Sequence, residues 1–366
     1  MPLSFLSVEG YRSVRSLWTR LDRVNVVLGP NGSGKTNVYR ALALLVDAAH
    51  GRLARSVARE GGMPSLMWAG DHRKHERRGV VVEAAFDSFV YRLEVGVVIP
   101  GKTMFNLDPE VKQESITFAE GKRKTLLMER AGPTAWMRDD DGRRVTYPLE
   151  LSSSESVLSQ LRDRHRYPEV ASLCERMQGW RFYHHFRTDA EAPLRQPQVG
   201  VSTHVLSATG DDLGAALQTI REVGDGPALD EAVEDAFPGS RLVVEADEMV
   251  RVAVRMRMPG IQRPLEASEL SDGTVRYLCL AAALLTPRPP ELLALNEPET
   301  SLHPQLLPPL GRLIARASRG SQLFVTTHSR ELADAVSADT GARTIELRLV
   351  NGATTIAGAR LDEEEE

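Results

Sequence analysis

The sequence predicts an α/β protein in which a strand, a glycine-rich loop and a helix near the N-terminus are joined to a C-terminal α/β segment, with an antiparallel β subdomain and an inserted helical lobe between them. Three observations predict it. Residues 23–28 (RVNVVL) form an apolar run that leads directly into Gly29-Pro30-Asn31-Gly32-Ser33-Gly34-Lys35-Thr36 and then a helical pattern. Residues 51–150 alternate short β-like stretches with basic runs. Two later apolar runs, Leu292–Leu295 and Leu323–Thr326, end in polar residues, and continuous apolar runs mark strands buried on both faces.

Taken in order, Phe5–Tyr11 reads as a short first strand and Arg23–Leu28 as a buried strand of parallel type. Asn37–Ala49 carries Val38, Leu42, Leu45 and Val46 at helical spacing, a face suited to packing on a sheet. Val80–Phe86, Tyr91–Ile99 and Ser115–Phe118 read as antiparallel strands. Residues 151–236 read as mostly helical, with Ser152–Ser154 as caps, an extended interlude at Trp180–Tyr183 and apolar periodicity from Leu213 to Ile220. Arg241–Met258 alternates as a strand pair with Arg251, Arg255 and Arg257 on a solvated face. Val275–Leu285 is expected as an amphipathic helix and Leu306–Ala317 as another, and Asn351-Gly352 is a hairpin turn signal. These divisions give an N-terminal lobe with its β subdomain at 1–150, a mostly helical lobe at 151–240, a C-terminal lobe at 241–361 and an acidic solvated tail at 362–366, together one composite domain.

Composition excludes several classes. Of 366 residues, 42% are hydrophobic and 26% charged, and 45 Lys+Arg stand against 50 Asp+Glu, a net charge of −5. Such a chain buries a core and has no global attraction for nucleic acid, so DNA binding needs a local basic patch such as 72–78 or 122–124. No window reaches the ~18 apolar residues of a membrane span, and the N-terminus lacks a signal-peptide layout. A cytoplasmic location with no membrane partner is therefore expected. Cys174 and Cys279 lie far apart and read as reduced core thiols. No internal repeat and no sustained heptad pattern is present. Only six basic residues are lysine, and Lys35 is the one inside the glycine loop.

Chemistry concentrates in four places. Gly29-(x)4-Gly34-Lys35-Thr36 matches the phosphate-binding loop in full: glycines let successive N–H groups face a phosphate, Lys35 neutralises the β- and γ-phosphates, and the Thr36 hydroxyl can ligate Mg2+. Leu292–Leu295 ends in Asn296-Glu297-Pro298-Glu299, where a carboxylate can orient a water. Leu270-Ser271-Asp272-Gly273-Thr274 is a turn before a helix, either an anion site or an ordinary cap by Ser271 or Asp272. Thr327-His328-Ser329 places a histidine at a strand end.

These four in this order resemble ABC-type ATPases of the RecF/SMC/OLD group, and most closely compact bacterial RecF-like AAA family ATPases without coiled coil or nuclease domain. Residues 3–50 and 265–335 carry the resemblance, with Trp180-Arg181-Phe182-Tyr183-His184 between them. It implies a P-loop NTPase fold of the ABC-ATPase head type. It implies that Gly29–Thr36 is the Walker A loop with Asn37 adjoining it, and that Ser271-Asp272-Gly273 is the signature closing on the γ-phosphate held by a second subunit. Glu297 becomes the base that orients water, Ser301–His303 the D-loop, His328 the switch histidine, and Arg12 a nucleotide contact. The Q-loop glutamine, a metal ligand in the family, is assigned first to Gln160 and second to Gln113. Thr36 and Asn296 complete the expected Mg2+ ligands. Asn296 departs from the aspartate of Walker B, so weaker Mg2+ binding and slow turnover are expected.

The resemblance implies ATP and Mg2+ as cofactors and an ATP-dependent homodimer working as a conformational clamp, with DNA and an effector protein encoded nearby as further partners and DNA repair or anti-phage defence as the setting. The alternative is a nucleotide-gated sensor or scaffold with little turnover that regulates an effector. A transporter subunit is disfavoured by the divergent signature and the β-rich insert. A nuclease is disfavoured because only residues 329–366 follow His328.

Overall fold

A computed structural model of the chain describes residues 3–71, 78–99, 104–121, 123–139, 141–161 and 164–358. Residues 72–77 of the first basic run, Lys122 of the second and the acidic tail lie outside the described residues. In chain order the elements are β1 Leu3–Tyr11, β2 Val14–Arg20, β3 Val24–Leu28, α1 Lys35–Ala49, α2 Leu53–Arg59, α3 Met63–Leu66, β4 Val80–Phe86, β5 Phe89–Val97, β6 Pro109–Glu120, β7 Arg123–Ala131, β8 Thr134–Arg138, β9 Arg144–Thr146, α4 Val157–Gln160 and α5 Pro168–Gly179. There follow β10 Arg181–Tyr183, β11 Gln198–Val199, α6 Leu213–Val223, α7 Gly226–Ala236, β12 Arg241–Ala246, β13 Arg251–Arg257, β14 Leu265–Glu266, α8 Asp272–Leu284, β15 Leu292–Asn296, α9 Leu307–Ala317, β16 Gln322–Thr327, α10 Arg330–Thr340, β17 Thr344–Val350 and β18 Ala353–Ile356.

The chain divides into two compact units: residues 1–22, 29–180 and 345–366, and residues 23–28 and 181–344. The first is built on an eight-stranded antiparallel sheet in the order β2-β1-β4-β5-β6-β7-β8-β9. β4, VVVEAAF, is buried at every position but Glu83, as an apolar strand covered on both faces must be. α1 buries Val38, Leu42, Leu45 and Val46, the face that its spacing predicts. The segment leading into α4 is fastened to the sheet by a buried polar network. Arg130, fully buried, donates to the carbonyls of Gly132, Ser152 and Glu155, and Glu114 accepts from Tyr91, Ser156 and the Val157 N–H. Every named group has a partner, so the buried charges are compensated. Burial pushes the Tyr91 hydroxyl well above its ordinary pKa.

The second unit holds a parallel sheet in the order β10-β15-β16-β3. Asn296 lies opposite Thr326 and Leu28 opposite Thr327, so three strands end on one edge. β15 and β16 are buried at every residue. Beside them β13 pairs with β11, β12 and β14 in a small antiparallel sheet.

Two sequence expectations change in detail, and one strand has no counterpart among them. α8 is buried continuously from Thr274 to Leu284 and is therefore a central core helix rather than an amphipathic one. The region 151–236 is less helical than its periodicity implies, because residues 184–212 hold only a 3-10 turn at Pro193–Arg195 and the two-residue β11, interrupted by Pro193, Pro197, Gly200 and Gly210. β2, whose charges and Trp18 face outward on an edge strand, has no apolar run to announce it. Among the described residues no helix is long and apolar enough to cross a membrane.

Candidate functional site

In the first unit Gly29–Thr36 forms a tight loop at the head of α1. The N-cap position, Gly34, sits at φ +95°, and no side chain caps the helix. A Cβ there would collide with Oγ1 of Thr354 and lie 2.9 Å from Oγ of Ser13, so only glycine fits. Ser13 in turn accepts from Asn37 at 2.8 Å and bonds Thr354 at 2.8 Å, which fixes the first turn of α1 to β18. A Cβ on Gly29 would meet Ser33 Oγ at 2.5 Å and the Leu347 carbonyl at 2.7 Å.

The loop presents donors. Lys35 folds back to donate to the carbonyls of Gly29 at 2.8 Å and Pro30 at 3.0 Å, and the buried Ser33 hydroxyl has no hydrogen-bond partner among the described residues. The N–H groups of Gly32 and Gly34 likewise have no intrachain acceptor there. An uncapped helix N-terminus with a buried ammonium beside it is an anion cradle, so the residues present fit a nucleotide phosphate. Asn31 and Gly32 form the loop tip, where a Cβ on Gly32 would meet open space. Thr36 is the second residue of α1.

Arg12, in the turn after β1, has φ +48° and is held by an ion pair to Glu60, which Arg40 also contacts at 2.9 Å. Gln160 directs its carboxamide at its own loop, accepting from the Ser152 N–H at 2.7 Å and donating to the Glu155 carbonyl at 2.9 Å. Gln113 lies on β6 opposite Glu94 and Ala131.

The second unit gathers the remaining residues at the common edge of β15 and β16. Asn296, 9% exposed, accepts from Thr326 Oγ1 at 3.0 Å through its side-chain oxygen. Glu297 follows at φ +45°, a backbone geometry that costs a non-glycine residue of order 1–3 kcal/mol and is kept where surroundings enforce it. The enforcement is visible. Its N–H donates to the Thr326 carbonyl at 2.9 Å, and its own carbonyl accepts from the Thr300 N–H at 3.1 Å and from Arg276 at 3.1 Å. His328 lies with Nδ1 3.0 Å from Glu299.

The turn Leu270–Gly273 starts α8. Ser271 is its N-cap, accepting from the Thr274 N–H at 3.2 Å, so its hydroxyl performs the cap role that the sequence left as an alternative. Asp272, largely exposed, is held at 2.6 Å by Arg195. A Cβ on Gly273 would lie 2.8 Å from the Ser301 carbonyl, so glycine permits this helix start to press against Ser301, itself at φ +63°.

Three residues without an assigned role in the sequence reading organise these turns. Buried Arg195 donates to the carbonyls of Thr188, Ala267 and Leu270 as well as to Asp272. Arg276 bridges α8 to the Glu297 and Pro298 carbonyls, and burial lowers its pKa. Nearby His185 is also held below its ordinary pKa, by desolvation first and by the Arg276 charge second. Glu269 closes a capping box with Glu266 and pairs with Arg263 at 2.6 Å; that pairing and the Glu266 N–H bring its carboxyl down to about 2. Glu269 and Arg276 flank the Leu270–Thr274 motif in sequence, whereas Arg195 and Glu60 carry no local signal. Among the described residues no group of three or more His, Cys, Asp or Glu is arranged to hold a metal ion.

A family model described as "AAA domain, putative AbiEii toxin, Type IV TA system" matches residues 24–79 and 137–334, which include the glycine loop, the Leu270–Gly273 turn, β15 and His328. The chain belongs to this AAA-domain family. Its motifs are similar to those of ABC-type ATPases of the RecF/SMC group, and its fold is that of SMC heads. The DNA replication and repair protein RecF of Vibrio cholerae is 44% identical over 57 residues, 15% of this chain and 15% of that protein, so the match spans only a small part of this curated relative. Among solved structures, an SMC head bound to the C-winged helix domain of ScpA aligns over 97% of both chains with a TM-score of 0.57 and 15% identity. The SMC head of Pyrococcus furiosus with an extended coiled coil, bound to the C-terminal domain of ScpA, aligns over 97% of this chain and 95% of that one with a TM-score of 0.52 and 14% identity. For this AAA-domain chain the SMC heads thus share the fold, and the family model covers the motif-bearing segments but leaves residues 80–136, most of the antiparallel sheet, unmatched.

Proposed function

We propose that this AAA-family chain binds ATP through residues 29–37 and hydrolyses it slowly in an ATP-dependent homodimer, the signature turn Ser271-Asp272-Gly273 of one subunit closing on nucleotide held by the other. The observation that carries this reading is the loop: an uncapped 15-residue helix headed by Gly34 at φ +95°, with Lys35 and the unpartnered Ser33 hydroxyl at its mouth. Phosphoryl transfer needs positioning and charge compensation more than covalent chemistry. Lys35 and the α1 N–H groups compensate phosphate charge, Glu297 orients the attacking water, and His328 contacts the γ-phosphate. Arg12, paired here with Glu60, is the further nucleotide contact in this reading.

Mg2+ bound with the nucleotide spreads the negative charge of the phosphates. Thr36 would offer a hydroxyl and Asn296 an amide oxygen, both neutral, so neither side chain would supply the negative charge that holds a divalent cation without nucleotide. The missing Walker B charge makes turnover slow.

The clamp so formed suits DNA repair or anti-phage defence. The family description's toxin of a type IV toxin–antitoxin system favours defence with a protein partner, and the RecF likeness favours DNA. Light scattering on Glu297→Gln with ATP, ADP and no nucleotide tests the dimer: doubling of mass with ATP alone supports it, and an unchanged mass removes it. Turnover with linear, circular and single-stranded DNA separates the settings, since stimulation by one form favours repair and indifference to all favours defence.

A second reading, a nucleotide-gated sensor with little turnover, is favoured by Asn296, whose amide oxygen is already engaged by Thr326. Phosphate release equal in wild type and Glu297→Gln, with ATP still bound, is its signature.

A further inference from the structure

Glu299 lies two residues past Glu297, buried to 6% exposure, and its Oε1 is a point of convergence: it accepts from Thr327 Oγ1 at 2.6 Å and from the His328 N–H at 2.8 Å, and His328 Nδ1 lies 3.0 Å away. Its Oε2 is buried with no hydrogen-bond partner among the described residues. Burying a carboxylate with one oxygen unsatisfied costs stability, so the group is held there against its own solvation.

We propose that Glu299 is the positioning residue of His328. A bare Nδ1 lone pair this close to a carboxylate oxygen would be repelled, so Nδ1 carries the proton, and the partner of one ring nitrogen sets what the other can do. The carboxylate also holds the backbone N–H of His328 and the hydroxyl of the residue before it, which fixes where the ring starts as well as how it turns. Nε2 is then the ring nitrogen left for a ligand, on a side chain 45% exposed. The consequence for turnover rests on the ATPase reading above; the protonation pattern of the ring does not.

The test uses the full chain labelled with 15N-histidine, its ring nitrogens read by NMR at a pH where histidine is neutral, with His328→Gln identifying the signal. The Nδ1–H tautomer is expected in wild type and in Glu299→Gln, whose amide oxygen still accepts. Glu299→Leu is expected to revert to the Nε2–H form that free histidine favours. Removing such an outer partner is expected to lower kcat about 10- to 100-fold in Glu299→Leu, with KM for ATP changed less than about twofold and Glu299→Gln restoring most of the rate. An Nε2–H tautomer in wild type overturns the proposal, whether or not the leucine variant folds. So does a Glu299→Leu protein with wild-type tautomer and kcat. If wild type has no turnover, the ATPase reading fails and the tautomer alone decides this one.

Discussion

Arg276, on the helix α8 that follows the Leu270–Gly273 turn, donates to the backbone carbonyl of Glu297 at 3.1 Å. The same guanidinium reaches the Pro298 carbonyl at 3.4 Å. The helix that starts at Asp272 and the turn that carries Glu297, the proposed base, are therefore tied through one buried cation, and that tie helps hold Glu297 at φ +45°. Arg276→Ala takes a donor from two carbonyls, of which that of Glu297 keeps the Thr300 N–H, and is expected to cost about 2–3 kcal/mol in urea unfolding. Phosphate release should fall at least as far as in a variant of equal stability loss made elsewhere in the core. A stable, fully active Arg276→Ala contradicts the coupling.

Arg195 makes four bonds, three of them to backbone carbonyls, and so shapes the turn that precedes α8. Arg195→Met keeps most of the volume and removes every donor. Turnover is expected to fall about tenfold or more, while ATP affinity measured by equilibrium binding stays near wild type, because the phosphate loop lies in the other unit. Loss of ATP affinity equal to the loss of turnover contradicts this assignment.

Gly34 answers to two constraints, its φ of +95° and the Thr354 hydroxyl. Gly34→Ala is expected to lower stability by about 3 kcal/mol, and Gly34→Ala with Thr354→Ala by about 1–2 kcal/mol, the backbone share alone. Thermal unfolding of the single and double variants measures both. Equal losses in the two contradict a steric role for Thr354.

Glu269 has a depressed pKa, about 2 against an ordinary 4.5. A carboxyl whose folded pKa lies below its unfolded value stabilises above the unfolded pKa, and that stability is lost as pH falls through the folded one. The difference in urea midpoint between wild type and Glu269→Gln should be constant above pH 4.5 and shrink between pH 4.5 and 2. It should be modest, since the pair is solvent-screened. A difference that does not vary with pH contradicts the assignment to the Arg263 pair.

The βα unit at residues 23–49 is legible in sequence because its cues are local: an apolar strand, glycines where φ is positive, and apolar residues at helical spacing. The edge residues Asn296, Glu297 and His328 are legible for the same reason, each standing at the end of an apolar run. Arg195 is not, because its acceptors are backbone carbonyls 72 and 75 positions away that any residue could supply. The all-round burial of α8 is not, because Arg276 and Thr274 read as a polar face until the carbonyls of the β15 turn are seen to satisfy Arg276. The early sheet is only partly legible, since β2 and the outer strands place charged residues on solvated faces.

The central claim is ATP hydrolysis that depends on Lys35 and Glu297. Its most direct test is phosphate release by purified wild type, Lys35→Ala and Glu297→Gln with Mg2+-ATP. The account predicts slow release by wild type, abolished in both variants, with ATP binding lost in Lys35→Ala and retained in Glu297→Gln. Release by wild type indistinguishable from both variants contradicts it.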